Sequence, residues 1–139
     1  MPINQIIQRL SSRQLFLIDG IGALASAILL GVVLVGIQDR IGVPTQTLLG
    51  LSGMATAFFI YSSVCYWWVR KSLAPFLKAI AICNVVYCLI TLGVLVVWMN
   101  QLKMLTYVYF ISEILIILAL VFVELSVANK EIKSAKRQD

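Results

Sequence analysis

Four long apolar stretches separated by short polar segments dominate the chain. They cover about residues 15–37, 46–69, 76–99 and 105–128. Because a helix rises about 1.5 Å per residue, about 20 apolar residues cover a hydrocarbon core of roughly 30 Å. Short loops between successive spans predict an antiparallel, up-down-up-down four-helix bundle. The predicted fold is therefore all-α, with residues 1–139 forming a single transmembrane domain.

The segment before the first span is amphipathic. Ile3, Ile6, Ile7 and Leu10 recur at helical spacing among polar positions. This pattern is typical of a short helix that lies at the membrane interface. A frayed terminus explains the segment as well.

The composition favours lipid as the solvent and excludes several chemistries. Hydrophobic residues make up 61% and charged residues 12% of the chain, against about 45–50% and about 25% in soluble domains. The chain has no histidine, so histidine general bases and histidine-ligated haem are excluded. Cys65, Cys83 and Cys88 form no C-x-x-C pair and lie within apolar runs, which favours packing over redox chemistry. No catalytic residue, metal site or cofactor is predicted, and an enzyme is the least favoured class.

The positive charges are distributed unequally between the two sides of the predicted bundle. One side receives nine of the 11 basic residues, and the other receives only Arg40 and Lys103. The nine are Arg9, Arg13, Arg70, Lys71, Lys78, Lys130, Lys133, Lys136 and Arg137. By the positive-inside rule, both termini are expected in the cytoplasm. This placement also explains the net charge of +5 without a nucleic-acid partner.

Small residues form one face on each of the first two spans. The first face is Ala23, Ala27 and Gly31, and the second is Gly50, Gly53 and Ala57. Such faces let neighbouring helices approach closely. The neighbour is expected within the chain, with a homo-oligomer or a partner membrane protein as the alternative.

One acidic residue is predicted near the middle of a span. Glu113 lies about 12 Å below the outer boundary of the last span, by the helical rise. Asp19 and Glu124 fall near the inner boundary, where lysine and arginine side chains are expected to pair with them. These two residues are therefore interpreted as boundary acids.

The third span carries a polar stripe at the depth of Glu113. Asn84, Tyr87, Cys88 and Thr91 follow each other at helical spacing. An ionised carboxylate at mid-bilayer costs roughly 2.5–3.5 kcal/mol even on lenient insertion scales. We therefore expect Glu113 to face the interior and to bond to Tyr87, Asn84 or Thr91. These four residues form the candidate intramembrane polar site.

Five segments carry a family resemblance. They are LIDGIGA (Leu17–Ala23), GVP (Gly42–Pro44), YSSVCY (Tyr61–Tyr66), CNVVYC (Cys83–Cys88) and YFISE (Tyr109–Glu113). Together they resemble an uncharacterised family of small four-span membrane proteins of Bacteroidota-type bacteria. The resemblance covers nearly the whole chain and implies a bacterial inner-membrane location, but no activity. Small multidrug-resistance transporters are less similar, since their essential glutamate is in the first helix, where this chain has Asp19.

Two classes of function remain open. One is a structural or accessory membrane subunit. The other is a minimal proton- or cation-coupled transporter or channel that uses Glu113. A water-connected cavity that reaches Glu113 favours transport, whereas a dry interior with Glu113 bonded to one neighbour favours a structural role.

Overall fold

The computed structural model describes residues 2–138, so Met1 and Asp139 lie outside the described part of the predicted domain. Within residues 2–138 the chain forms α-helices and no strand. The helices are α1 (Ile3–Arg9), α2 (Ser12–Ile28), α3 (Thr45–Trp68), α4 (Ala74–Val97) and α5 (Met104–Ala135). A π-helical segment, Leu29–Leu34, continues α2, and a 3-10 turn, Gln38–Arg40, follows it. The all-α class predicted from the sequence is confirmed.

Four helical segments are long and apolar enough to cross a membrane. They are Ser12–Leu34, Thr45–Trp68, Ala74–Val97 and Met104–Ala135. The first three begin and end within three residues of the predicted boundaries, whereas the fourth extends to Ala135 instead of ending near residue 128. Most of the large apolar side chains on these segments are exposed on the outside of the molecule. The arrangement fits a small integral membrane protein.

A capping box at Ser11 separates α1 from α2. The Ser11 hydroxyl accepts a hydrogen bond from the Gln14 N–H at 3.3 Å, and the Gln14 side chain accepts one from the Ser11 N–H at 3.1 Å. This reciprocal pair satisfies backbone donors that have no partner inside the helix. The amphipathic N-terminal segment therefore forms its own short helix before the first long one begins.

The four long helices associate mainly as two pairs, α2 with α3 and α4 with α5, and the pairs touch each other at few positions. In the first pair the Ser52 hydroxyl donates to the Ala27 carbonyl at 2.8 Å. A Cβ atom on Gly31 would lie 2.5 Å from the same Ser52 oxygen. The small residues at positions 27 and 31 therefore allow α3 to approach α2 closely.

The two connecting loops 35–44 and 98–103 are in contact with each other. The Ile41 carbonyl accepts hydrogen bonds from the Lys103 N–H at 3.3 Å and from the Thr106 hydroxyl at 2.6 Å. Gly42 makes this contact possible, because its φ of 82° is a left-handed conformation and a Cβ atom there would collide with the Gln101 carbonyl. The contact places the residues that follow α2 beside the first turn of α5.

Two apolar clusters flank the polar interior. One contains Leu30, Ile41, Leu48 and Phe110, and the other contains Phe16 together with further residues of α3, α4 and α5. The buried acidic and amide residues of α2, α4 and α5 lie between members of the two clusters, except Glu113, which lies among residues of the first cluster. The first cluster thus borders Glu113, and both clusters border the other acidic and amide side chains.

Candidate functional site

A cavity of about 530 Å³ lies between the two helix pairs. Most of its wall comes from α2 and α5, and Phe58 and Tyr87 contribute from α3 and α4. The wall is largely apolar, and no lysine or arginine of residues 2–138 lines it. Its carboxyl groups are those of Asp19 and Glu113. The wall residue Ile116 of α5 is 69% exposed, and α2 touches α5 at few positions, so the cavity opens between these two helices.

Glu113 is buried against the cavity with one carboxyl oxygen bonded and the other free. Its Oε1 atom accepts hydrogen bonds from the hydroxyl groups of Tyr87 at 3.3 Å and Tyr109 at 3.4 Å. The Ser26 side chain of α2 also lies within reach of this carboxyl group. The Oε2 atom has no hydrogen-bond partner among the described residues. Glu113 can therefore accept one further proton, donor or cation.

The two tyrosines are held by different parts of the fold. Tyr87 is 2% exposed, and its ring packs edge-on against Phe58 at a centroid distance of 5.9 Å. Tyr109 is one turn before Glu113 on the same helix, a spacing at which side chains meet, and its ring packs against Phe110. The carboxyl group is thus positioned by hydroxyl groups from two helices.

A second polar cluster joins all four long helices around Asp19. The Ser62 hydroxyl of α3 donates to Asp19 Oδ2 at 2.5 Å, and the Asn84 amide of α4 donates to Asp19 Oδ1 at 2.8 Å. Glu124 of α5 is fully buried, and its carboxyl group faces the side chains of Asp19 and Asn84. Neither of its oxygens has a hydrogen-bond partner within residues 2–138.

The structure divides the predicted polar stripe of the third span between these two clusters. Of its members, Tyr87 donates to Glu113, whereas Asn84 donates to Asp19. Thr91 is buried and donates to the Tyr87 carbonyl at 2.9 Å. Such a bond to the carbonyl four residues earlier is common for threonine inside a helix. Asn84 lies almost one turn from Tyr87, at the level of Asp19, and this explains its different partner.

The expected pairing of Asp19 and Glu124 with boundary cations is wrong for the described residues. Both side chains are buried, at 3% and 0% exposure, and their neighbours are the uncharged Ser62 and Asn84 and each other. Arg13 instead stacks on the Tyr66 ring, 5.0 Å from its centroid. The two acids are buried among side chains of the long helices, and no lysine or arginine of residues 2–138 is among these neighbours.

Sequence reasoning missed three residues of the site: Ser26, Ser62 and Tyr109. Tyr109 had a usable signal, because it lies four residues before Glu113 on one helix. Ser62 is adjacent to Ser63 in an apolar run, and nothing in that run indicates which of the two faces inward. Ser26 is one of many small residues of the first span, and nothing in the sequence distinguishes it from a residue that only packs.

Comparisons with protein-family models, with curated proteins and with solved structures find no match for this chain. The site has one partly bonded carboxyl group, that of Glu113, in a largely apolar cavity. A pair of carboxyl groups, Asp19 and Glu124, lies next to it, and Asp19 lines the same cavity.

Proposed function

We propose that the protein is a small membrane carrier that binds an organic cation in the cavity and exchanges it for a proton at Glu113. The observation that carries this proposal is the cavity itself, which is largely apolar and is lined by two carboxyl groups and, within residues 2–138, by no lysine or arginine. A purely structural carboxyl group would be expected in a dry, packed interior. Ionisable residues inside membrane spans are costly and commonly mark substrate or proton pathways.

The wall chemistry favours a ligand with an apolar body and one positive charge. Apolar side chains would cover the body of the ligand, and Glu113 would supply the opposite charge. The rings of Phe58, Tyr87 and Tyr109 lie around the same space and attract cations through their faces. Such a ligand partitions into lipid, and the opening between α2 and α5 gives it a path from the bilayer.

The burial of Glu113 explains why a bound cation would exchange with a proton. With the cavity empty, a neutral Glu113 avoids the cost of an isolated buried charge. A bound cation would replace the proton, since the carboxylate and the cation neutralise each other. The ligand and the proton then compete for one group, and this competition couples their movements.

We further propose an antiparallel four-helix bundle with both termini in the cytoplasm and a location in a bacterial inner membrane. The Ser12 hydroxyl donates to Glu131 at 2.7 Å, which pairs the start of α2 with the end of α5. The contact between Ile41 and Thr106 pairs the opposite ends. The unequal distribution of the basic residues supports the orientation, and the family resemblance supports the membrane.

The Glu113→Gln substitution tests the carrier proposal. Tetraphenylphosphonium, a lipophilic cation, is the probe, and calorimetry in buffers of different ionisation enthalpy counts the protons released. We expect wild-type protein to bind the probe with proton release, and the variant to bind at least about tenfold more weakly, since about 1.4 kcal/mol corresponds to a factor of ten. Glu131→Gln, at the end of α5 and outside the cavity wall, is the matched control and should bind as wild type. Equal binding by the Glu113→Gln variant would refute the proposal.

A structural or accessory role is the second candidate, and one observation favours it. The small-residue face of α3 points outward. A Cβ atom at Gly50 or Gly53 would meet no neighbouring part of the described chain within 4 Å, and Ala57 is exposed. This face can accept a helix of a partner protein or of a second copy. If it does, Gly50→Leu should abolish the association seen by cross-linking in membranes, while Gly93→Leu on α4 should not.

A further inference from the structure

Asp19 and Glu124 have opposite hydrogen-bonding environments although their carboxyl groups face each other. Asp19 accepts from the Ser62 hydroxyl and the Asn84 amide, one on each oxygen. Both oxygens of the fully buried Glu124 lack a partner among the described residues. Donors from two helices therefore hydrogen-bond to Asp19, whereas the Asn84 amide lies near Glu124 without a hydrogen bond to it.

This asymmetry distinguishes the two acids chemically. A carboxylate is stabilised by donors, as Asp19 is. A buried carboxylate with no donor at all carries a high desolvation cost, whereas a carboxylic acid becomes a donor itself. A protonated Glu124 would donate its O–H to Asp19, and the repulsion between two adjacent negative charges would be removed.

We propose that Asp19 and Glu124 share a single proton, resting on Glu124, and that this carboxyl pair is a second proton-exchange site of the molecule. The groups that face the pair from the other helices are Ser62 of α3 and Asn84 of α4, and both are uncharged. The charge of the pair is therefore set by its one proton.

The position of the pair connects it to the cavity. Asp19 and Asn84 line the same space as Glu113, and Glu113 lies 11 residues before Glu124 on α5, or about 16 Å along the axis. Water molecules that hydrogen-bond to the carboxyl groups of the cavity wall would bridge such a gap. Transfer breaks the Glu124 O–H bond as an Asp19 O–H bond forms. Asp19 then gives the proton to this water, which gives a proton to the Glu113 carboxylate as the cation leaves. This relay to Glu113 rests on the proposed function, whereas the shared proton does not.

Infrared spectroscopy of the ligand-free protein tests the shared proton. Every spectrum is recorded on a Glu113→Gln background, because a neutral Glu113 would add a carboxylic-acid band of its own. We expect a carboxylic-acid C=O band at neutral pH that shifts in D₂O. The band should disappear in Glu124→Gln, and it should persist at a shifted frequency in Asp19→Asn, because Glu124 keeps its proton but loses its carboxylate acceptor. Glu131→Gln, which changes a carboxyl group at the end of α5, should leave the band unchanged.

Either of two infrared results would overturn the proposal. One is a Glu124→Gln spectrum that keeps the band. The other is the absence of any carboxylic-acid band in Glu113→Gln. This variant leaves the Asp19–Glu124 pair unchanged, so the result does not depend on whether Glu124→Gln folds. A sodium-dependent rise in thermal stability that Asp19→Asn removes would instead identify a sodium site. Failure to bind tetraphenylphosphonium refutes the carrier function and leaves these spectra unaffected.

Discussion

At the scale of single residues, Ser62 shows how much a buried acid depends on one donor. Its hydroxyl is fully buried and donates to Asp19 at 2.5 Å. Ser62→Ala removes this bond and leaves one Asp19 oxygen without a partner, which costs about 1–3 kcal/mol. We expect a lower midpoint of thermal unfolding in detergent. Ser63→Ala is the matched control, because Ser63 is half-buried and takes no part in the hydrogen bonds to Asp19. An equal loss in both variants would argue against the role of Ser62.

The same two serines show what the sequence could not predict. In a soluble helix, apolar residues on one face identify the inward side. On α3 apolar residues surround the helix, because lipid on one side and protein on the other both favour them. The tyrosine partner of Glu113 could be predicted from spacing, but the rotation of α3, and with it the choice of Ser62 over Ser63, could not.

At the scale of the helices, the close approach of α2 and α3 depends on Gly31. A side chain there would meet the Ser52 oxygen and disturb its bond to Ala27. Gly31→Leu is expected to destabilise the protein by about 1–3 kcal/mol, the usual cost of overpacking, measured as resistance to unfolding in denaturing detergent. Gly93→Leu on α4 is the control, since a Cβ atom there has no neighbour within 4 Å. A Gly31→Leu variant as stable as the control would contradict the close approach of α2 and α3 at Gly31.

The four-residue repeat of small residues predicted this face only in part. Ala27 and Gly31 face α3, whereas Ala23 lines the cavity. The π-helical segment Leu29–Leu34 begins two residues after Ala27, whose carbonyl is bonded by Ser52. A side chain that bonds to a helix carbonyl can disturb the helix's own pattern. A four-residue repeat marks one face only if the helix is regular. The repeat gives no sign of the Ser52–Ala27 hydrogen bond or of the π-helical segment that follows it.

At the scale of the molecule, helix number and helix pairing have different origins. Length and apolar composition determine that four segments are long enough to cross a membrane, and both can be counted along the chain. The pairing of α2 with α3 and of α4 with α5, and the cavity left between them, depend on which small residues meet. The spans were therefore predictable, and the cavity and the four-helix cluster around Asp19 were not.

The orientation proposed for the whole molecule can be tested at its two exposed loops. Nine of the 11 basic residues lie at the ends assigned to the cytoplasm, so the loop at Ser72 should face inward and the loop at Asn100 outward. Both residues are exposed, and each can be replaced by cysteine. In intact cells, a membrane-impermeant maleimide should label the Asn100→Cys variant and leave Ser72→Cys unlabelled until the membrane is permeabilised. The native cysteines all lie within the long helices, so wild-type protein provides the background. If only Ser72→Cys is labelled in intact cells, the orientation is the opposite of the one proposed. The Asp19–Glu124 pair would then lie nearer the outer surface, and Glu113 would lie closer to the cytoplasm.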